Sequence, residues 1–273
     1  MRRVLATPAG ALGAGIVGLV AIAALFAPWI APYDPDALAV LDRFAGLSGA
    51  HLLGTDQLGR DLFSRLLHGA TVAMGVSLTS IAIAGLAGTA LGVLAASVPV
   101  GWERLILVAF DIVASFPSIV LALAVVAVFG PSNAHLVGIV AVTLVPQFGR
   151  VARAQVLTLR AAPFLEAERI LGASPLRIMW SHVLPNIAGP LIVLASMEVP
   201  VVITIEAGLS FIGLGVRPPL ASWGTLIYDG YSYLSDSTLP VLVASLALAA
   251  ATLGFTLFGE ALRDAVDPRA GRG

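Results

Sequence analysis

No residue between Val4 and Tyr33 carries a charge, and none between Gly69 and Val98 does either. Runs of about twenty apolar residues are what a helix needs to cross about 30 Å of hydrocarbon. Backbone amides cannot be left unpaired there, so helices are the natural way for such runs to span. Four further stretches with few charges, at 105–129, 135–154, 187–210 and 239–261, join these two to make six candidate spans, the first at about 9–31. The links Pro99-Val-Gly-Trp-Glu-Arg104 and Gly130-Pro-Ser-Asn133 separate the second from the third and the third from the fourth. The expected fold class is therefore all-α integral membrane, with six transmembrane helices.

Composition agrees. Of 273 residues, 58% are hydrophobic and 11% charged, and the mean hydropathy is +0.97, far from the balance of a soluble domain. The start Met-Arg-Arg before an apolar run also fits a secretory signal. The uncharged run is longer than a typical signal core, however, and favours a retained first helix. The lipid bilayer is the first expected partner, and a net charge of −1 gives no electrostatic case for nucleic acid.

Absent residue types remove chemistry. Without cysteine there is no thiolate nucleophile, redox pair or cysteine metal site. All fifteen basic residues are arginine, so no lysine is present for a phosphate-binding loop or a Schiff base. Any nucleotide involved must then be bound by another subunit, and no cofactor is expected on this chain. His51, His68, His135 and His182 lack ligand spacing, so no metal site is expected.

Arginine placement orients the spans. With the amino terminus cytoplasmic, Arg2, Arg3, Arg104, Arg150, Arg153, Arg160, Arg169, Arg177, Arg263, Arg269 and Arg272 fall inside. Arg43, Arg60, Arg65 and Arg217 fall outside. The excess predicts both termini cytoplasmic. The tryptophans and tyrosines (Trp29, Tyr33, Trp102, Trp180, Trp223, Tyr228, Tyr231, Tyr233) cluster at predicted span ends and loops, where the interface favours them.

Two polar segments interrupt the apolar pattern. In the outer segment 34–68, Thr55 or Asp56 is placed to cap a short helix with Leu62, Phe63, Leu66 and Leu67 on one face. Asp61 and Arg65 make an i,i+4 pair opposite, and Gly69 is read as its stop, so the helix is expected to lie along the membrane surface. The second segment, 160–186, carries Arg160, Glu166, Glu168, Arg169 and Arg177. Five charges at about 2.5–3.5 kcal/mol each near mid-bilayer outweigh about 4 kcal/mol from its apolar residues. It stays in the cytoplasm.

Local signals divide 160–186 into two short helices. Pro163 suits a first helical position, and Glu166 and Glu168 complement the dipole. Gly172 is placed to leave the helix left-handed. Ala173, then Ser174-Pro175, restart the chain as a cap and first-turn proline. Leu176, Met179, Trp180 and Val183 form the expected apolar face of the second helix, which Leu184-Pro185 is read as ending. From the residues alone this is either a solvated loop with an interfacial helix or a docking element.

Glu166-Ala167, Gly172 and Leu184-Pro185 resemble the "EAA, three residues, G, nine residues, I-x-LP" loop of permease subunits in binding-protein-dependent ABC importers. Glu168 stands for the second alanine of that pattern and His182 for its isoleucine. "LGTDQLGRD" (53–61), "DIVASFPS" (111–118), "EAGLSFIGLGVRPPLASWG" (206–224) and "LRDAVDPR" (262–269) are similar to the dipeptide/oligopeptide/nickel permease subfamily. The resemblance implies a type I ABC importer transmembrane domain with Glu166, Ala167, Glu168, Gly172, Ala173, Ser174, Leu184 and Pro185 contacting the ATPase. It further implies a second homologous permease, two cytoplasmic ATPase subunits or domains, an extracytoplasmic solute-binding protein and a bacterial plasma membrane. The implied organisation is 1–68 (first span and outer segment), 69–262 (importer core) and 263–273 (cytoplasmic tail). Peptides are the favoured solute, with nickel or another small solute as the alternative.

Ionisable groups inside spans are functional candidates by default. Asp111 and Glu206 lie near span ends, where a structural ion pair or protonated carboxyl is the favoured explanation. Glu198 is nearest mid-span and is the candidate pathway residue. Repeated small residues at Gly85, Gly88 and Gly92 read as close helix packing. A secondary transporter would call for paired repeats, and an intramembrane enzyme for a convergent catalytic constellation; neither pattern is found.

Overall fold

The computed structural model describes residues 2–217 and 219–266, with the side chains of Arg2 and Arg3 outside that description. Residues 267–273, which include Arg269, Arg272 and the end of the 262–269 motif, lie outside the described residues. In chain order the helices are α1 (Arg2–Leu5), α2 (Pro8–Ile30), α3 (Leu62–Ser97), α4 (Val100–Ala114) and α5 (Ser118–Phe129). They continue with α6 (Asn133–Arg160), α7 (Pro163–Ile170), α8 (Pro175–Ile178), α9 (Leu184–Phe211), α10 (Trp223–Ser232) and α11 (Leu239–Val266). A 3-10 turn at Val40–Asp42 lies between α2 and α3, and a π turn at Met179–Val183 joins α8 to α9.

Among the described residues, five stretches are long and apolar enough to cross a bilayer: α2, α3, α6, α11 and the run Pro175–Phe211. The pair α4 and α5, bent by 83°, brings the number to six when it is taken as one broken span. The third expected span is thus not one straight helix. Its break falls at Ser115-Phe116-Pro117, where the proline lacks an amide hydrogen and disfavours helical geometry in the residue before it.

Small residues bring the long helices together. A Cβ on Gly88 of α3 would stand 2.6 Å from the Val145 carbonyl oxygen of α6, and one on Gly13 of α2 would stand 2.6 Å from the Phe258 nitrogen of α11. Because helix association in lipid depends on close van der Waals contact, these glycines fix the α3/α6 and α2/α11 pairs. Hydroxyls add bonds between helices: Thr71 donates to the Ala24 carbonyl at 2.8 Å, and Ser80 to that of Val137 at 3.3 Å.

The outer segment departs from expectation. Asp61 caps α3, accepting from the Ser64 amide at 2.7 Å, and the helix runs unbroken through Gly69 to Ser97. Gly69 does not stop it; a Cβ there would stand 2.6 Å from the Trp223 ring. Asp61 meets His51 at 2.9 Å, while Arg65 meets Asp36 at 3.5 Å and Asp56 at 3.6 Å, so the expected Asp61–Arg65 pair does not form. Arg60 pairs with Asp56 at 2.7 Å and reaches Asp229 of α10 at 3.4 Å. Both sides of this helix start are covered: residues 34–61 fold over the charged side and bury it.

The loop after α9 is ordered by α10, where Ser222 and Thr225 form a reciprocal capping box. Trp223 is buried beside α3 and donates to the Leu66 carbonyl at 3.1 Å, so it is a packing residue and no part of an interfacial belt.

Two glycines of α3 make a paired test. Gly88→Ala pushes a methyl into backbone and should destabilise the fold by about 1–3 kcal/mol. Gly75 has open space around it, and Gly75→Ala should be neutral or stabilising by up to about 1 kcal/mol. Denaturation midpoints of both variants in one detergent check the contrast.

Candidate functional site

The segment between α6 and α9 is built from local rules. Only Ala161 and Ala162 separate Arg160 at the end of α6 from Pro163 at the start of α7. Pro163 takes the first turn, where its missing amide hydrogen costs nothing. At the other end the Ala173 amide donates to the Glu168 carbonyl and the Gly172 amide to that of Arg169, both at 3.0 Å. This is a Schellman closure, with Gly172 at φ +82° as expected. Ser174 then caps α8, accepting from the Arg177 amide at 3.3 Å.

The second helix does not end at Leu184-Pro185. A π turn over Met179–Val183 carries the chain directly into α9, with the Leu184 amide bonded to the Met179 carbonyl. Pro185 can neither donate to the residue four before it nor tolerate its carbonyl, and the wider turn relieves that clash. The Asn186 side chain donates to the His182 carbonyl at 2.6 Å, satisfying an acceptor in the widened turn. The bracket is therefore continuous with α9 and two residues from α6.

A small core holds the bracket against the membrane helices. Leu165, Ile178 and Val183 are buried with Ala96, Ala152, Val156 and Ile187, and Met179 and Ala173 pack on them. The expected apolar face is only partly inward: Val183 is buried, but Leu176 is 68% and Trp180 66% exposed. Ile178, the residue just before the π turn, takes an inward position as well. Ile170 and Leu171 are each 81% exposed. Glu166, Ala167, Ser174 and Pro185 are exposed, Glu168 and Ala173 half-buried.

The two departures from the loop pattern meet. His182 Nε2 lies 3.5 Å from Glu168 Oε1, and the His182 ring stands edge-on to Phe164 at 6.1 Å. The pair ties α7 to the π turn across the bracket.

Within the spans the carboxylates separate by environment. Asp111 is exposed and bonded to Arg150 of α6 at 2.9 Å. Glu103 pairs with Arg153 one turn further on, fixing α4 across the end of α6. Glu206 is fully buried and accepts from Ser210 Oγ at 2.7 Å; the same hydroxyl accepts from the Val216 amide, closing the turn after α9. Glu198 is 7% exposed and accepts from Gln147 Nε2 of α6 at 2.7 Å. Gln147 did not emerge from the sequence, although an amide beside Pro146 in an apolar run was a signal for it.

The family model described as "binding-protein-dependent transport system inner membrane component" matches residues 88–272, and the N-terminal TM domain of oligopeptide transport permease C matches residues 1–46. The chain belongs to the binding-protein-dependent inner membrane component family. Among relatives of this inner membrane component is the di/tripeptide transport system permease protein DppC of Pseudomonas aeruginosa, 39% identical, covering 95% of this chain and 88% of that protein. Another is the probable D,D-dipeptide transport system permease protein DdpC of Escherichia coli, 37% identical over 97% of this chain and 89% of that protein. An inward-facing structure of the MetNI methionine ABC transporter is similar in fold, with TM-score 0.61 and 18% identity, covering 74% of this chain and 96% of that chain. The inner membrane component thus has the fold of a type I ABC importer transmembrane domain.

The angle of the bracket in this inner membrane component depends on one backbone conformation. A Cβ on Gly172 would meet nothing within 4 Å, so the cost of Gly172→Val is conformational, about 1–2 kcal/mol. Gly172→Asn should cost less, since asparagine tolerates the left-handed region. Amide hydrogen exchange across 163–178 should speed up in the valine variant and change little in the asparagine one.

Proposed function

We propose that this chain is one of two permease subunits in an ATP-driven peptide importer, forming half of the translocation pathway and coupling it to cytoplasmic ATPase subunits. ATP and Mg act on those partners, and this chain is not itself an enzyme. Its other partners are a second homologous permease and an extracytoplasmic solute-binding protein, in the plasma membrane of a bacterium. Residues 1–68 provide the first span and outer segment, 69–262 the importer core, and 263–273 a cytoplasmic tail, with both termini cytoplasmic. The relatives' names support peptides as the solute class.

One observation carries the coupling role. Ile170, Leu171 and Leu176 stand exposed on a charged segment that cannot enter the bilayer, and large apolar side chains held in water mark a protein contact. Glu166 lies exposed beside them at the start of α7, where it can meet a basic or donor-rich cleft. Both ends of the segment run into spanning helices, so movement of the docked ATPases is delivered to α6 and α9 without slack. ATP binding then shifts the population between inward-open and outward-open arrangements.

Glu166→Ala and Leu176→Asp should leave pairing with the second permease intact and reduce recovery of the ATPase subunits, or uptake per ATP hydrolysed, by about tenfold. Normal ATPase recovery and normal uptake in both variants would return 160–186 to an interfacial loop. Topology has its own test: cysteines placed singly at the exposed Ser174 and Ser235 should label from opposite faces of the membrane, and labelling from one face would overturn the orientation.

A further inference from the structure

We infer that Gln147 and Glu198 form a mid-membrane subsite for the cationic amino terminus of the transported peptide; this rests on the peptide-permease reading above. The two residues sit at the midpoints of 28-residue helices, Gln147 in α6 and Glu198 in α9. Their side chains are joined by a 2.7 Å hydrogen bond in which the amide donates. Each has a proline close by, Pro146 and Pro200, and a proline inside a helix deprives the carbonyl four residues earlier of its donor. Polarity is thus concentrated at one depth on two neighbouring helices.

The face on which this pair lies cannot be a lipid face. Gln147 is exposed in the single chain, as are Arg150, Ala154 and Thr158 further down the same side of α6. An amide bonded to a carboxylate is too costly against hydrocarbon, so this side meets water or protein. In a permease built from two homologous halves, that side faces the other half and the pathway between them.

The chemistry left open there is that of an acceptor. Glu198 uses one carboxylate oxygen on Gln147; among the described residues no donor meets the other or the Gln147 amide oxygen, and no basic side chain pairs with Glu198. Arg150, one turn below, is already held by Asp111 at 2.9 Å. With no counter-ion beside Glu198 in a low-dielectric wall, an arriving cation is what stabilises the charged form of its carboxyl. An ammonium brings three donors to two free oxygens. Every peptide with a free amino terminus presents that group whatever its side chains, so a single weak site serves many sequences and still releases them.

The test uses the assembled complex, with both permeases, the ATPases and the cognate binding protein, in proteoliposomes. Uptake of tritiated dialanine and trialanine is measured beside ATP hydrolysis. Glu198→Gln should lower peptide moved per ATP about tenfold, and Glu198→Asp should retain most of it. Gln147→Met, at an exposed position, should give a smaller loss in the same direction. Glu198→Gln is the isostere of the protonated acid, so wild-type uptake in that variant would overturn the subsite in favour of a neutral carboxyl. Loss of the second permease on purification of Glu198→Gln would overturn it in favour of a counter-ion across the permease interface. A wild-type complex that moves neither peptide would overturn the peptide reading and the subsite with it, whereas wild-type uptake left unchanged by Glu198→Gln overturns the subsite alone.

Discussion

Hydrocarbon offers no hydrogen-bond partner and little screening, and the distribution of polar groups in this chain follows from that. Charges are absent from most of the spanning length and gather in two bodies outside it, the capped segment before α3 and the bracket between α6 and α9. The two solve the same problem differently. The outer segment pairs its buried charges, Asp56 with Arg60 and Arg65, Arg60 also with Asp229 of α10, and Asp61 separately with His51. Buried charges of this kind persist because each finds a partner, and removing one partner leaves the other uncompensated. The bracket leaves its charges and several of its largest apolar side chains in water.

That difference separates a sealed structural cap from an open surface. In the outer segment the helix start is sealed by its own chain, so the segment behaves as a lid fixed to α3 and α10. In the bracket only Leu165, Ile178, Val183 and their neighbours are turned inward. Ile170, Leu171 and Leu176 are left out, although burying each would be worth about 1.5–3 kcal/mol. In the importer proposed above, the contact forgone at these three places on one loop is completed by an ATPase subunit.

How far the sequence could be read depended on the range of the interaction involved. Spans showed because hydrophobicity over twenty residues is a local sum, and Gly172 and Ser174 because a cap is decided within one turn. Where a tertiary partner intervened, local reading failed. Gly69 looked like a helix stop, but Trp223, from the far end of the chain, needs its space. Asp61 and Arg65 had the spacing of a surface pair, but residues 34–56 supply each with another partner. Pro185 looked like a terminator, and the π turn that absorbs it has no strong signature of its own. The bend before Pro117 could have been read from that proline, yet hydropathy averaged over the span conceals it. Glu198 was visible as a charge in an apolar run; Gln147 was not, because its importance comes from facing Glu198 across two helices.

The positions of the bracket and of the Gln147–Glu198 pair are mechanically linked. The bracket's two ends continue into α6 and α9, and those are the helices that carry the two polar side chains. Each also has an interior proline beside its polar residue, where a missing hydrogen bond makes bending easier than elsewhere along the helix. A displacement applied at the bracket is therefore transmitted stiffly along the bracket-side halves of both helices and is most readily absorbed at the level of the prolines. In the importer proposed above, the separation of Gln147 from Glu198 would change most at that level as the two access states exchange. A carboxylate held by its amide partner in one state and released from it in the other would bind a cation with different strength in the two. That differential affinity is what a bound solute needs to bias a conformational equilibrium.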